Sequence, residues 1–186
     1  MITDIIESIA GEVYATGYFT SVGGAATTVA IRDENTVRML PSAKDANTGS
    51  IKLFVPDESE TGIAFFEVGE SRVVRSMNNA VQLSATARIV FWLNGNKVSG
   101  STGQISRDLL RILNFSKFDI QGVSGVSIMF ISEEKSGPTV FSAYSIDEAE
   151  HHLCYTPYYA GALQFKITYV ISKSCIPSMS VGNTNC

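Results

Sequence analysis

The chain carries 186 residues, with 14 Lys and Arg against 18 Asp and Glu, for a formal net charge of −4. That length fits one domain, which buries roughly 70% of its unfolded surface and needs no disulfide or metal to hold a core. Lys and Arg are scattered without a cluster, so a basic tract for nucleic acid is excluded and any cationic patch has to be assembled by folding.

Residues 2–10 are predicted to form a short helix, because Ile2, Ile5, Ile6 and Ile9 recur at helical spacing after Thr3, with Gly11 as its stop. The opening lacks a basic region, and Asp4, Glu7 and Glu12 interrupt its apolar stretch, so it does not read as an export signal. Synthesis and folding in a cytoplasm are expected. Cys154, Cys175 and Cys186, an odd number without metal spacing, are expected there as free thiols. No run approaches the ~18–20 apolar residues of a membrane span.

Strands are predicted at 27–33, 36–41, 50–55 and 62–68, separated by turn chemistry at Asp33-Glu34-Asn35, Asn47-Thr48-Gly49, Pro56-Asp57 and Glu60-Thr61-Gly62. SIKLFVPD and TGIAFFEVGE read as a hairpin within an extended insertion, 43–78, that projects from the body. The clearest strand is 79–93. Val81, Leu83, Ala85, Ala87, Ile89, Phe91 and Leu93 share one face, and Val90 and Trp92 make the other face apolar near the end. A helix follows at 102–113, capped by the Ser101–Gln104 pattern and striped by Ile105, Leu109, Ile112 and Leu113. Strands at 117–121, 124–132 and 138–144 come next. A helix at 146–153 is opened by Ser145 and Glu148, and a strand at 161–171 alternates Leu163, Phe165, Ile167, Tyr169 and Ile171 with polar residues. Residues 173–186 read as a polar tail, disordered or draped on a neighbour. The expected fold is therefore α+β over 1–172: mainly antiparallel sheet, two or three short helices on one face, and a protruding hairpin.

Chemistry is sparse. In 147–154, DEAEHHLC, Asp147 with His151 and Glu148 with His152 are i, i+4 pairs close to Cys154. A helix face bearing two ligands holds zinc in other patterns, but here both histidines of the chain are already used and no spaced Cys or His remains. The simpler reading is a capped helix with acids in its first turn and histidines near its C-terminus. Gly95, Gly100 and Gly103 precede a helix without the paired glycines and lysine of a phosphate loop, so a connection is expected there. Gly23-Gly24 reads as a turn. Tyr14, Tyr18 and Phe19, with Tyr155, Tyr158 and Tyr159, suit a sugar platform, a protein interface or a half-buried core. No catalytic, cofactor or metal residues are expected, and the chain is not expected to be an enzyme. A β-rich module binding glycan or peptide is the alternative class.

IIESI near the start, ARIVFWLNG followed by QISRDLLRIL, and PYYAGALQFKITYVI follow an order of short helix, long strand, helix and closing strand. In that order the chain resembles the tail-terminator and tail-completion (neck) proteins of tailed bacteriophages. The resemblance implies a virion protein made in the bacterial host's cytoplasm and forming a homo-oligomeric ring, a hexamer by preference or a dodecamer. It implies tail-tube, connector or portal proteins as neighbours, DNA passing through the channel without specific binding, and no membrane. The 43–78 segment and the polar tail are both longer than the family pattern.

Overall fold

A computed structural model describes residues 1–33, 36–115, 118, 120–135, 137–145 and 151–172. It opens with helix α1, Ile2–Tyr14. Strands β1 (Ser21–Ala25), β2 (Thr27–Asp33), β3 (Thr36–Lys44), β4 (Ile51–Leu53), β5 (Gly62–Val68), β6 (Arg72–Ser76) and β7 (Ala80–Asn94) follow. Helix α2 (Thr102–Phe115), strand β8 (Val123–Glu134), helix α3 (Gly137–Val140), a 3-10 turn (His151–Cys154) and strand β9 (Tyr158–Ser172) complete the order. This is an α+β fold dominated by sheet.

The main sheet runs β1-β5-β7-β9-β8, with β6 also paired to β7, and β2-β3-β4 form a second, smaller sheet. Every pairing is antiparallel except β1 with β5. β7 and β9 pair without interruption from Ala80 opposite Ser172 to Asn94 opposite Tyr158. Along the other side of β7, β5 occupies Ala87–Leu93 and β6 occupies Val81–Ser84.

Both faces of this sheet bear apolar cores, and the alternation of β7 builds them. Val81, Ala87, Ile89, Phe91 and Leu93 meet the buried stripe Ile5, Ile6, Ile9, Ala10 and Val13 of α1 and Ile105, Leu109 and Leu113 of α2. Val90 and Trp92 point the other way and pack with Phe54, Ile63, Phe65, Val140, Phe141 and Leu153. The two long helices thus lie on one face, while α3 and the 3-10 turn cover one end of the other.

Several expectations need correction. SIKLFVPD and TGIAFFEVGE are not a hairpin: β4 pairs with β3, and β5 lies between β1 and β7. Burial excludes the projecting hairpin, because Ile63, Ala64, Phe65 and Phe66 are all inside and a strand apolar on both faces needs a packed layer over each, which only the body of the protein supplies. Gly11 does not stop α1; the helix runs on to bury Val13. Thr3 lies within α1 rather than capping it, and the terminal amine pairs with Asp4 at 2.8 Å. Gly23-Gly24 belongs to β1 rather than to a turn, since a Cβ at Gly23 would stand 2.7 Å from the Phe54 ring. The 138–144 segment is α3 and a turn, not a strand. Of the 146–153 helix, residues 146–150 lie outside the described residues, and 151–154 form the 3-10 turn. Ser145, expected as its cap, instead accepts a 3.0 Å hydrogen bond from the Met39 amide. The 117–121 strand is described only at 118 and 120–121, none of it in a strand. The polar tail, 173–186, lies outside the described residues.

Candidate assembly surfaces

Where β5 gives way to β6, the sheet narrows to β6-β7-β9-β8, and its two outer strands each present a side with no strand paired to it among the described residues. Such an edge is a row of N–H and C=O groups ready to pair with another chain. Here the edges also carry apolar side chains. Val73 and Val74 of β6 are 65% and 53% exposed, and Met129, Phe130 and Ile131 form an exposed run in β8. Both edges are shaped by bulges, between Val73 and Arg75 in β6 and after Ser124 and Phe130 in β8. Bulges twist an edge and restrict which strand fits against it.

The small sheet offers a second surface. Its register puts Ile31, Leu40, Ile51 and Leu53 on one face, where Ile51 is 78% exposed. A cleft of about 460 Å³ runs beside this face, lined by Leu40, Lys52, Leu53, Pro56, Asp57 and Glu60 among others. A second cleft, about 430 Å³, lies at the far end of α2 between Tyr18, Asp108, Arg111 and the exposed Phe115. Tyr18 donates a 2.6 Å hydrogen bond to Asp108, and that bond raises the phenol's pKa.

Polar locks hold these surfaces in place. Arg88 donates to Glu67 through Nε (2.8 Å) and Nη2 (3.0 Å), to Glu134 (3.1 Å) and to the Val140 carbonyl (3.0 Å), tying β7 to β5, β8 and α3. Tyr144 donates to the same Glu67 at 2.9 Å; burial first, and then this carboxylate, raise its pKa. Buried Asp45 accepts from the Asn47 and Thr48 amides and fixes the turn before β4.

The residues singled out in the sequence are dispersed. Asp147 and Glu148 lie outside the described residues, as does the His151 side chain. His152 meets Glu58 at 3.3 Å, and Cys154 is buried in the second core. Among the described residues no group of three His, Cys, Asp or Glu is placed to hold a metal. A Cβ at Gly95 would lie 2.2 Å from the Pro157 carbonyl, so that glycine answers to packing, while Gly103 opens α2 in free space. The aromatics separate: Phe19 is in the first core, Tyr158 stacks on Trp92 in the second, and Tyr155 and Tyr159 are exposed. Sequence reasoning missed β6. Its only signal is the short β-branched RVVRS after Gly69, with none of the burial alternation that marks β7.

No family model matches the chain, and no curated protein matches it in sequence.

Proposed function

We propose that the chain is a structural subunit that assembles with copies of itself into a ring in the neck or tail of a tailed bacteriophage, as tail terminator or head–tail connector, without enzymatic activity. The observation that carries the assembly half of this reading is the pair of apolar edges, β6 and β8, at opposite margins of one sheet and open among the described residues. Two different edges suit a head-to-tail contact, which closes into a ring when the rotation per subunit divides a full turn. The virion half rests on the order of elements, with α1 and α2 packed on the long β7–β9 pair. The exposed small sheet and the low content of charged residues fit a subunit that hides surface against neighbours.

Light scattering on a size-exclusion column tests it. A single ring-sized species is expected, converted to monomer by Val74→Lys or Ile131→Lys. A wild-type chain that stays monomeric at high concentration would sink the ring. The cleft beside the small sheet favours a peptide-binding module as second reading, and a stable monomer that captures peptides there would support that instead.

A further inference from the structure

The strand register assembles one surface that the linear sequence does not display. On the face opposite α1 and α2, beyond the second core, side chains fall into rows across four strands. Arg75, Gln82, Val170 and Ser124 form one row; Arg72, Ser84, Thr168 and Ser127 the next. Thr86, Lys166 and Met129 form a third. The bulge in β6 puts Arg72 and Arg75, three residues apart, on the same face, and the first β8 bulge does the same for Ser124 and Ser127. The paired positions of the three rows hold three cations, in a chain of net −4, and exposed Glu70, two residues before Arg72, stands at the margin of the third row. Arg88, in the fourth row, is already committed to Glu67 and Glu134. Among the described residues nothing packs over these rows: both long helices belong to the opposite face, and α3 and the 3-10 turn to the far end.

We infer that this face binds the phosphate backbone of double-stranded DNA, with Arg72, Arg75 and Lys166 as its cations and the surrounding hydroxyls and amides as hydrogen-bond donors. Three arguments select this occupant. Charge complementarity calls for an anionic partner, and three spaced cations suit a repeating row of phosphates. Cations with Ser, Thr and Gln donors are the groups that hydrogen-bond phosphate oxygens. The rows contain no aromatic ring, so they lack the stacking platform that single strands use, and only Val170 and Met129 are apolar, too little for insertion into lipid. The surface spans roughly 14 Å across strands and 13 Å along them. A duplex lying along the strands carries about eight phosphates over that length on its two strands together, and its near side supplies enough for three cations. The inference does not rest on the ring, since a single chain carries the whole face.

Fluorescence anisotropy with a labelled random-sequence duplex and the full chain tests it. Weak binding is expected at low salt, and three phosphate contacts make affinity fall roughly 40-fold between about 50 and about 200 mM salt. Arg72→Gln, Arg75→Gln and Lys166→Gln together are expected to cost at least about tenfold and to flatten the salt slope. Lys97→Gln, Arg107→Gln and Lys135→Gln, which remove as much charge elsewhere, are expected to leave most of the affinity. No wild-type binding at low salt, or equal loss in the two triple variants, overturns the proposal. So does tighter binding to a single strand or to phosphatidylserine vesicles. Light scattering run in parallel separates one more case: if the face variant changes the oligomer and not the DNA titration, the occupant is another copy and the proposal falls.

Discussion

The indole N–H of Trp92 donates a 2.6 Å hydrogen bond to the carbonyl oxygen of Leu153, joining the middle of the sheet to the 3-10 turn. Tyr158 stacks on the same ring at 5.5 Å between centroids. Trp92 is fully buried, so Trp92→Ala is expected to destabilise the fold by about 3–5 kcal/mol, the usual cost of emptying an aromatic site. Trp92→Phe keeps most of the packing but leaves the Leu153 carbonyl unpaired, a loss of about 1–3 kcal/mol. Urea unfolding of both variants, compared at unchanged slope, checks the order.

Two glycines near α2 are expected to respond in opposite directions. Gly95→Ala places a methyl against the Pro157 carbonyl, where backbone has to move, and should destabilise strongly. Gly103→Ala meets nothing within 4 Å on a helical backbone and should stabilise by about 0.5–1 kcal/mol. Melting temperatures decide, and a tolerated alanine at 95 would contradict the packing described.

Acid should loosen the turn before β5. Asp57 is held below its ordinary pKa by the Ser59 amide, and Glu58 by hydrogen bonds from Tyr158 and then His152. Both folded values are depressed, so their contribution is present above the ordinary values of 3.8 and 4.5 and is lost as pH falls through the lower folded ones. Thermal melts from neutral pH down to pH 3 should show a steeper decline for the wild type than for Asp57→Asn with Glu58→Gln. Parallel curves would rule this out.

The opposite sign applies at Tyr144. Its folded pKa is raised by burial and by Glu67, so stability is fully present below the ordinary value of 10 and falls as pH rises above it. Tyr144→Phe should remove that alkaline decline while losing one hydrogen bond, about 1.5–3 kcal/mol for a bond to a charged acceptor and less here because Glu67 is part-exposed. Denaturation between pH 8 and pH 11 reads both effects.

The parts of the fold that could be read from the sequence are those whose burial follows a local period. The alternation of β7, including its switch at Val90 and Trp92, marked both cores before any pairing was known. The stripe of α2 and its cap were equally visible, and the Gln104 amide does bond Ser101 Oγ at 3.3 Å. Pairing was not visible. Turn residues between the two segments suggest a hairpin, yet β5, apolar on both faces, lies in the body of the protein between β1 and β7. β6 escaped because an exposed, bulged strand has no periodic apolar signal. For the same reason the DNA-binding face was hidden: Arg72 and Arg75 look like opposite faces of a regular strand, and Lys166 lies on another strand far along the chain. Only register brings the three together.

The position of β9 sets an order of events on the ribosome. β9 is the last described strand in the chain, yet it lies between β7 and β8 and pairs with both. β7 therefore emerges well before the strand that covers one whole side of it, and β8 also waits for the one strand paired to it among the described residues. Pairings so distant in sequence form slowly, and a nascent chain stopped before residue 158 leaves one side of β7 open and β8 without β9 beside it, both exposed to aggregation. The sheet closes at its centre only once β9 is available, and yield in a cell should depend on chaperone capacity as much as on the stability of the finished fold.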